Sequence, residues 1–187
     1  MTANPIFLLS SATPFGTVSI VWQGAPRRPI VNRIFLSHGD AGSEARAQAM
    51  FDDLRPGTDP AVDELLQDIR RYLEGEVVPL KLDLLALDAC SDFQRRVLLA
   101  EYAIPRGYVS TYGRIAHHLG VRGGARAVGN ALARNPFPIV IPCHRAIRSD
   151  GELGGYQGGT AMKRALLVME GVEVSGSGRV VRSQFHC

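Results

Sequence analysis

The chain has 187 residues, of which 45% are apolar and 21% charged, a composition typical of ordinary globular proteins. That length suffices for one large domain or two small ones with a proper core. No apolar run approaches the roughly 18–20 residues of a membrane span, and the N-terminus lacks the basic region of a signal peptide. We therefore expect an intracellular protein. Cys90, Cys143 and Cys187 show neither CxxC nor Cys/His metal spacing, which argues against a disulfide scaffold and a zinc site.

Charge is distributed unevenly along the chain. Residues 1–101 contain 14 acidic and 10 basic residues, whereas residues 102–149 contain seven arginines and no Asp or Glu. The arginines of this window are Arg106, Arg114, Arg122, Arg126, Arg134, Arg145 and Arg148. A long window without a carboxylate predicts a phosphate-binding face. The alternative is a solvated basic surface without a partner.

The N-terminal part has the pattern of a small α/β module. Residues 17–22 alternate and are β-branched, as a half-buried strand requires, and residues 30–36 read as its antiparallel partner. Residues 43–54 are predicted to form a helix. Asp59 is a candidate N-cap for the next helix, with a proline at its first position, and Gly75 ends that apolar periodicity.

A leucine-rich extended linker, residues 76–90, leads into the second part of the chain. We place the domain boundary between residues 1–88 and residues 89–187. Ser91 and Gln94 form a capping box for a helix that must end near Ile104, because a proline follows. The positions predicted to face inward are Phe93, Val97, Leu98 and Tyr102. Cys90 has apolar neighbours in the sequence and is interpreted as a packing residue.

Residues 110–134 are a helix-turn-helix candidate. Thr111 is expected to cap a short helix over residues 112–119, which Gly120 terminates, and a second helix is predicted over residues 125–134. Most side chains of the second helix are small, so it could approach a groove wall closely. A plain antiparallel helix pair is the alternative, but the surrounding arginine window favours nucleic-acid binding.

The stretch from Asn135 to Gly159 carries the strongest chemical signal. An apolar run ends at Pro142, and Cys143, His144 and Arg145 follow directly. The thiolate is the nucleophilic form of cysteine, and a nearby base and positive charge favour it. Neighbouring side chains of an extended segment point to opposite sides, so we expect a bridging water between Cys143 and His144. A buried structural cysteine is the competing interpretation.

A histidine that acts as a base also needs a group that orients its ring. The acids near His144 in sequence are Asp150, Glu152 and Glu170, and the sequence spacing does not choose among them.

Several motifs together resemble those of the O6-alkylguanine-DNA alkyltransferases. They run almost continuously from Phe93 to Gly171: FQRRV (93–97), IPRG (104–107), STYGRIA (110–116), ARAVGNAL (125–132), NP with IPCHR (135–145), GGYQGG (154–159) and KxxLLxxEG (163–171). The combination is specific, although no single motif is. The resemblance implies an α+β protein with a small N-terminal α/β (ribonuclease-H-like) module. A mainly helical C-terminal domain, with a helix-turn-helix and an active-site strand/turn, would follow it.

The same resemblance implies a suicide DNA-repair enzyme, a methylated-DNA–protein-cysteine methyltransferase. Cys143 would take the alkyl group from O6 of guanine, or from O4 of thymine, in one turnover. His144 would deprotonate the thiol through a water, and Glu170 would orient its imidazole. Tyr112 would offer its phenol to the departing base, while Asn135 would hold the turn before the active site.

Further roles follow from the resemblance for the DNA and the base. Arg126 would enter the base stack in place of the extruded nucleotide, and small residues would let the second helix lie in the minor groove. The DNA-binding residues implied are Arg126, Arg134, Ala125, Gly129 and Leu132, and the base pocket would comprise Tyr156, Gln157, Pro138 and Gly158. We expect double-stranded alkylated DNA as the partner, a monomer, no membrane, no cofactor, no metal and a cytoplasmic, nucleoid-associated location.

The sequence departs from the family pattern without losing a catalytic residue. Leu98 stands where members usually carry tryptophan, Ser91-Asp92 replaces GT, and Ala146 follows IPCHR. The cysteines and histidines that bind zinc in some relatives have no counterpart. Three alternatives remain open: a lesion sensor without net repair, a transcriptional regulator that uses the helix-turn-helix, and a thiol hydrolase.

Overall fold

The computed structural model describes residues 4–24, 28–181 and 185–186. The chain divides into two compact units. The first comprises the chain up to Leu87 together with Pro136–Val140, and the second comprises Asp88–Asn135 with the chain from Ile141 onward. The return of residues 136–140 to the first unit was not predicted from the sequence.

The first unit contains a four-stranded sheet. Its strands are β1 (Ile6–Thr13), β2 (Gly16–Gln23), β3 (Ile30–Leu36) and β4 (Arg55–Pro56), in the order β3-β2-β1-β4. The first three strands are antiparallel, and β4 runs parallel to β1. The strands predicted at 17–22 and 30–36 are confirmed as β2 and β3. Strand β1 was not recognised, because most of its side chains are half-buried and give no clear alternation.

Two helices accompany this sheet: α1 (Ser43–Gln48) and α2 (Pro60–Leu73). The prediction that α1 extends to residue 54 was wrong. The helix ends after six residues, and Asp53 has a left-handed φ of 54°, which no helix can contain. Helix α2 is confirmed: the Asp59 side chain accepts a hydrogen bond from the Ala61 N–H, and Gly75 has a φ of 101° just beyond the end.

The second unit is mainly helical. Its elements are α3 (Asp92–Tyr102), β5 (Ser110–Thr111), α4 (Tyr112–His118), α5 (Ala125–Ala133), β6 (Ala146–Ile147) and α6 (Gly159–Met169). Helix α5 packs against α3 and α4, and the two short strands pair in parallel. The Thr111 side chain caps α4 by accepting from the Arg114 N–H, so the predicted helix-turn-helix elements are confirmed. The predicted α+β fold class is likewise confirmed.

Helix α3 differs from its prediction in two respects. Ser91 caps it as expected, but the Gln94 side chain donates to the carbonyls of Ala131 and Arg134 instead of closing a capping box. This bond fixes the C-terminal end of α5. Tyr102, predicted to face inward, is 39% exposed, whereas Glu101 is fully buried. An acidic residue on the inner face concealed the true periodicity.

The segment before the thiol forms a turn where a strand was expected. Ile139 has a left-handed φ of 74°, and Cys143–Arg145 forms a single 3-10 turn, after which β6 begins. Pro138 and Pro142 have no N–H to donate, so the run cannot complete a strand ladder. The assumption of an extended Cys143–His144 segment was therefore wrong.

Candidate active site

Cys143 begins the 3-10 turn and is buried, with 6% of its surface exposed. Two hydrogen bonds between main-chain groups shape the turn: Cys143 N–H donates to Ile141 O, and Arg145 N–H donates to Pro142 O, both at 2.8 Å. The turn packs against α3 and α6. The thiol is thus held on a short, well-packed corner of the chain.

His144 and Arg145 share one carboxylate. The Glu170 Oε1 atom lies 3.1 Å from His144 Nε2, so Glu170 is the acid that the fold selects over Asp150 and Glu152. Arg145 binds both Glu170 oxygens, from Nε at 2.9 Å and from a terminal nitrogen at 2.6 Å, and its other terminal nitrogen donates to Ile104 O. Bidentate arginine–carboxylate pairs fix orientation as well as charge. Glu170 therefore stands in a fixed position behind the imidazole.

Charge at this group follows from burial and pairing. Burial alone would raise the pKa of Glu170, but the bonds from His144 and Arg145 outweigh it and hold that pKa well below its usual range. Burial lowers the pKa of His144, against the opposing effect of Glu170. The imidazole is consequently neutral at neutral pH and able to accept a proton.

Asn135 holds the loop that precedes the thiol. The side-chain amide of Asn135 donates to Ile141 O at 3.0 Å, and the main-chain carbonyl of Asn135 accepts from the Gln157 side-chain amide at 2.6 Å. Both ends of the loop and the later glycine-rich segment are thereby joined. An Asn135 hydrogen bond also favours the thiolate of Cys143. The predicted role of Asn135 in the turn has this arrangement as its physical basis.

A cavity of about 350 Å³ opens at the thiol. Its lining residues are Tyr112, Gly129, Leu132, Ala133, Cys143, Gly155, Tyr156 and Gln157. This size is within the range of small-molecule sites. Pro138 belongs to the 136–140 segment of the first unit, and the described lining residues do not include it. A larger cavity of about 490 Å³ lies at the helix-turn-helix turn, away from the thiol.

Glycines allow the close packing of Tyr112 and Tyr156. Gly154 has a left-handed φ of 70°, and a Cβ atom there would lie 3.0 Å from the Tyr112 hydroxyl oxygen. A Cβ atom at Gly158 would overlap Met162 and approach the Tyr156 ring to 3.3 Å. Gly158 therefore shapes the cavity wall through Tyr156 while serving as the N-cap of α6.

The thiol and the phenol both hold their protons strongly. Burial raises the pKa of Cys143 to about 12, against the opposing Asn135 hydrogen bond. Burial also raises the pKa of Tyr112 to about 12, and the charges of Glu101 and Cys143 act in the same direction. Tyr112 is therefore a hydrogen-bond donor at any physiological pH, and Cys143 needs a base before it can react.

The predicted DNA-binding residues are divided between two surfaces. Ala125, Arg126 and Arg134 are exposed on or at the end of α5, and Gly129 is half-buried. Leu132 is buried and lines the cavity instead. Not every arginine of the 102–149 window faces outward: Arg145 is buried on Glu170. Arg148 forms exposed ion pairs with Asp150 and Glu152.

Two buried ionisable residues beside the thiol escaped the sequence analysis. Glu101 and Lys163 are both fully buried, and Lys163 donates from Nζ to Ala146 O at 2.6 Å. Lys163 was noted only as part of a motif. The signal that could have revealed them is a charged residue at a position that the helical apolar spacing assigns to the inner face.

Within residues 4–24, 28–181 and 185–186, no three His, Cys, Asp or Glu side chains are grouped so that they could hold a metal ion. In the same ranges, no helix is both long and apolar enough to cross a bilayer. Cys90 is half-buried and, like Cys143, forms no disulfide in the described part of the chain. Cys187 lies outside the described residues.

A buried thiol beside an oriented histidine, opening into a cavity next to a helix-turn-helix, defines a thiol-dependent transfer protein. The profile of the 6-O-methylguanine DNA methyltransferase, DNA binding domain, matches residues 92–172. A methylated-DNA–protein-cysteine methyltransferase from Methanothermobacter thermautotrophicus is 50% identical over 62% of this chain. That match spans 65% of the relative, slightly under two thirds of its length. A Mycobacterium leprae protein of the same name is 37% identical over 76% of this chain and 87% of its own length.

Solved structures agree with these sequence matches. Mycobacterium tuberculosis OGT, crystallised in complex with DNA, has a TM-score of 0.68 and 31% identity, covering 88% of this chain and 93% of its own. O6-methylguanine-DNA methyltransferase from Pyrococcus kodakaraensis has a TM-score of 0.65 and 26% identity, covering 89% and 99%. The chain belongs to the methylated-DNA–protein-cysteine methyltransferase family.

Proposed function

We propose that this protein repairs O6-alkylguanine in duplex DNA by irreversible transfer of the alkyl group to Cys143. The observation that carries the proposal is the position of the thiol: Cys143 lines a cavity that also contains the Tyr112 phenol, and the His144–Glu170 pair lies directly behind it. A cavity of about 350 Å³ accommodates one flipped base. Flipping is required because a thiol cannot reach O6 inside a stacked duplex.

The transfer balances within this set of residues. Cys143 gives its proton through a water to the neutral His144, whose developing charge Glu170 stabilises. The sulfur then attacks the alkyl carbon, and the C–O6 bond breaks with its electron pair passing to the guanine. Tyr112 donates a hydrogen bond to the departing base. The proton returns from His144 to the guanine, leaving a thioether and a neutral base.

Binding of the DNA is assigned to α5. Its outward side chains are small, and Arg126 is exposed at a position suited to filling the gap left by the extruded base. Arg134 at the C-terminal end of the helix would contact phosphates, which position the duplex without reading its sequence. We propose minor-groove binding by a monomer, with Gly129 allowing close approach. Action on chromosomal DNA places the protein in the cytoplasm with the nucleoid.

Mass spectrometry after incubation with a duplex containing O6-methylguanine tests this proposal. We expect one methyl group on the peptide that contains Cys143, and transfer that stops at one group per protein. Cys143→Ala should abolish transfer, whereas the matched variant Cys90→Ala should retain it. Methylation elsewhere, or repeated turnover, would contradict the assignment.

A second candidate is a lesion sensor that binds the flipped base without repairing it. The observation that favours it is the buried thiol, whose pKa of about 12 makes it a poor nucleophile without help. Under this alternative, long incubation would leave the methylated base intact in a stable complex. Loss of the lesion in step with methylation of Cys143 excludes it.

A further inference from the structure

Glu101 is a buried acid that forms no ion pair with any of the described residues. It lies on the inner face of α3 with 0% exposure, and neither carboxyl oxygen makes a hydrogen bond of normal geometry. No lysine, arginine or histidine of the described residues forms an ion pair with it. Charged carboxylates are almost never buried in this way, because an uncompensated charge loses its hydration.

The cations near Glu101 are directed at other acceptors. Arg145 is paired with both oxygens of Glu170 and donates to Ile104 O. Lys163 donates from Nζ to Ala146 O at 2.6 Å and to Gly155 O at 3.4 Å. Lys163 thus joins strand β6, which follows the 3-10 turn, to Gly155 in the cavity wall, and neither cation forms an ion pair with Glu101.

The charged groups around the thiol belong to the 3-10 turn and to helices α3 and α6. From the 3-10 turn and the end of α6, Arg145 and Glu170 cancel each other, and His144 is neutral. Helix α6 contributes the Lys163 ammonium and α3 contributes Glu101. With Glu101 protonated, the cluster carries one positive charge, which a Cys143 thiolate would neutralise. With Glu101 ionised, the same thiolate would leave one uncompensated negative charge.

Burial lowers the pKa of Lys163 to about 8, against the raising effects of Cys143 and Glu101, so the ammonium is the major form at pH 7. A negative charge on Glu101 raises the pKa of Cys143 and of Tyr112 on α4, whereas the Lys163 ammonium lowers the pKa of the thiol. Arg148 acts on Tyr112 in the opposite direction to Glu101. Burial raises the pKa of Glu101 to about 8, against the opposing effects of Lys163, Arg145 and the Ala146 amide.

We propose that Glu101 holds a proton at neutral pH and so leaves the Lys163 ammonium as the uncompensated charge that stabilises the Cys143 thiolate. Glu101 is a positioning residue, because it acts on the sulfur through Lys163. The inference rests on the proposed role of Cys143 as the alkyl acceptor. It adds a second, charge-balancing pair to the His144–Glu170 pair.

Four variants distinguish this arrangement from an ordinary buried ion pair: Glu101→Gln, Lys163→Met, the double variant, and Glu64→Gln as an exposed control. Single-turnover transfer from methylated DNA is the first readout. Since glutamine imitates the protonated acid, we expect E101Q to stay within about threefold of the wild type at pH 7. Lys163→Met should be at least about tenfold slower, the equivalent of one unit in the thiol pKa, and the double variant should match it. An E101Q variant more than about tenfold slower, with transfer regained in the double variant, would overturn the proposal.

A second readout needs neither DNA nor a Lys163 variant. The infrared spectrum of the wild type at pH 7 should contain the carbonyl band of a buried protonated carboxyl group, and this band should be missing from E101Q and unchanged in Glu64→Gln. The band should fade as the pH rises above about 8. Its absence at pH 7 would refute the protonated state even if K163M failed to fold. Because the band is independent of transfer, failure of the alkyltransferase assignment would be seen separately.

Discussion

Replacing Glu170 by glutamine tests the architecture behind the thiol. The carboxylate accepts from His144 and, through two bonds, from Arg145, and both side chains of the ion pair are almost fully buried. Glutamine keeps the shape but removes the charge, so the Arg145 guanidinium stays buried without its counter-ion. Breaking a buried pair in this way costs about 3–5 kcal/mol.

The measurement is urea and thermal unfolding of the wild type and the variant. For a chain of this length, about 2–4 °C is lost per kcal/mol, so the melting temperature should fall by roughly 6–20 °C. Glu152→Gln is the matched control, because Glu152 pairs with Arg148 and Arg179 at an exposed site. Exposed pairs contribute about 0–1 kcal/mol, and the control should melt within a few degrees of the wild type.

The stability difference between the wild type and E170Q should also depend on pH. The pKa of Glu170 is lower in the folded protein than in the unfolded chain, so its contribution is present above the unfolded value, about 4.3, and is lost as the pH falls below it. The difference in unfolding free energy between wild type and E170Q should therefore shrink in acid. A variant within 1 kcal/mol of the wild type at pH 7, or a difference that does not depend on pH in acid, would refute this reasoning.

Three further outcomes are expected. Tyr112→Phe should slow alkyl transfer by about 100-fold with DNA affinity unchanged, because the departing base loses a buried hydrogen-bond donor. Stopped-flow kinetics measure the transfer rate, and a binding titration measures the DNA affinity. An unchanged transfer rate would remove Tyr112 from the mechanism. Gly154→Ala should lower the free energy of unfolding, measured in urea, by about 1–2 kcal/mol, because the left-handed backbone of Gly154 and the Tyr112 hydroxyl at 3.0 Å both oppose a Cβ atom. Gly155→Ala is the control, because the space at its Cβ position is open. Iodoacetamide at pH 8 should label Cys90 before Cys143. Labelling of Cys143 should accelerate as the pH rises toward the pKa of its thiol, about 12. Rapid labelling of Cys143 at pH 7 would show that burial does not suppress the thiolate.

Local signals identified most of the elements. The alternation in β2 and β3, the N-caps Asp59 and Thr111 and the proline after Ile104 each act within a few residues, so they can be read directly from the chain. Where side chains were half-buried, as in β1, the local pattern was too weak. Helix α1 was predicted too long, because apolar spacing does not reveal that Asp53, inside the predicted range, has a left-handed φ.

The sequence by itself determined the chemistry of this protein: a thiol followed by His144 and Arg145, a helix of small residues with Arg126 and Arg134 near its two ends, and the motifs of one family. Only the tertiary structure decided which groups meet. It brought Glu170, the acid that the family resemblance had implied, against His144, turned Arg145 inward from the arginine window, and buried Glu101 and Lys163 beside the thiol. The reason is physical: pairing and burial depend on contacts between residues far apart in the chain, and the free energy of a charge depends on those contacts rather than on its neighbours in sequence.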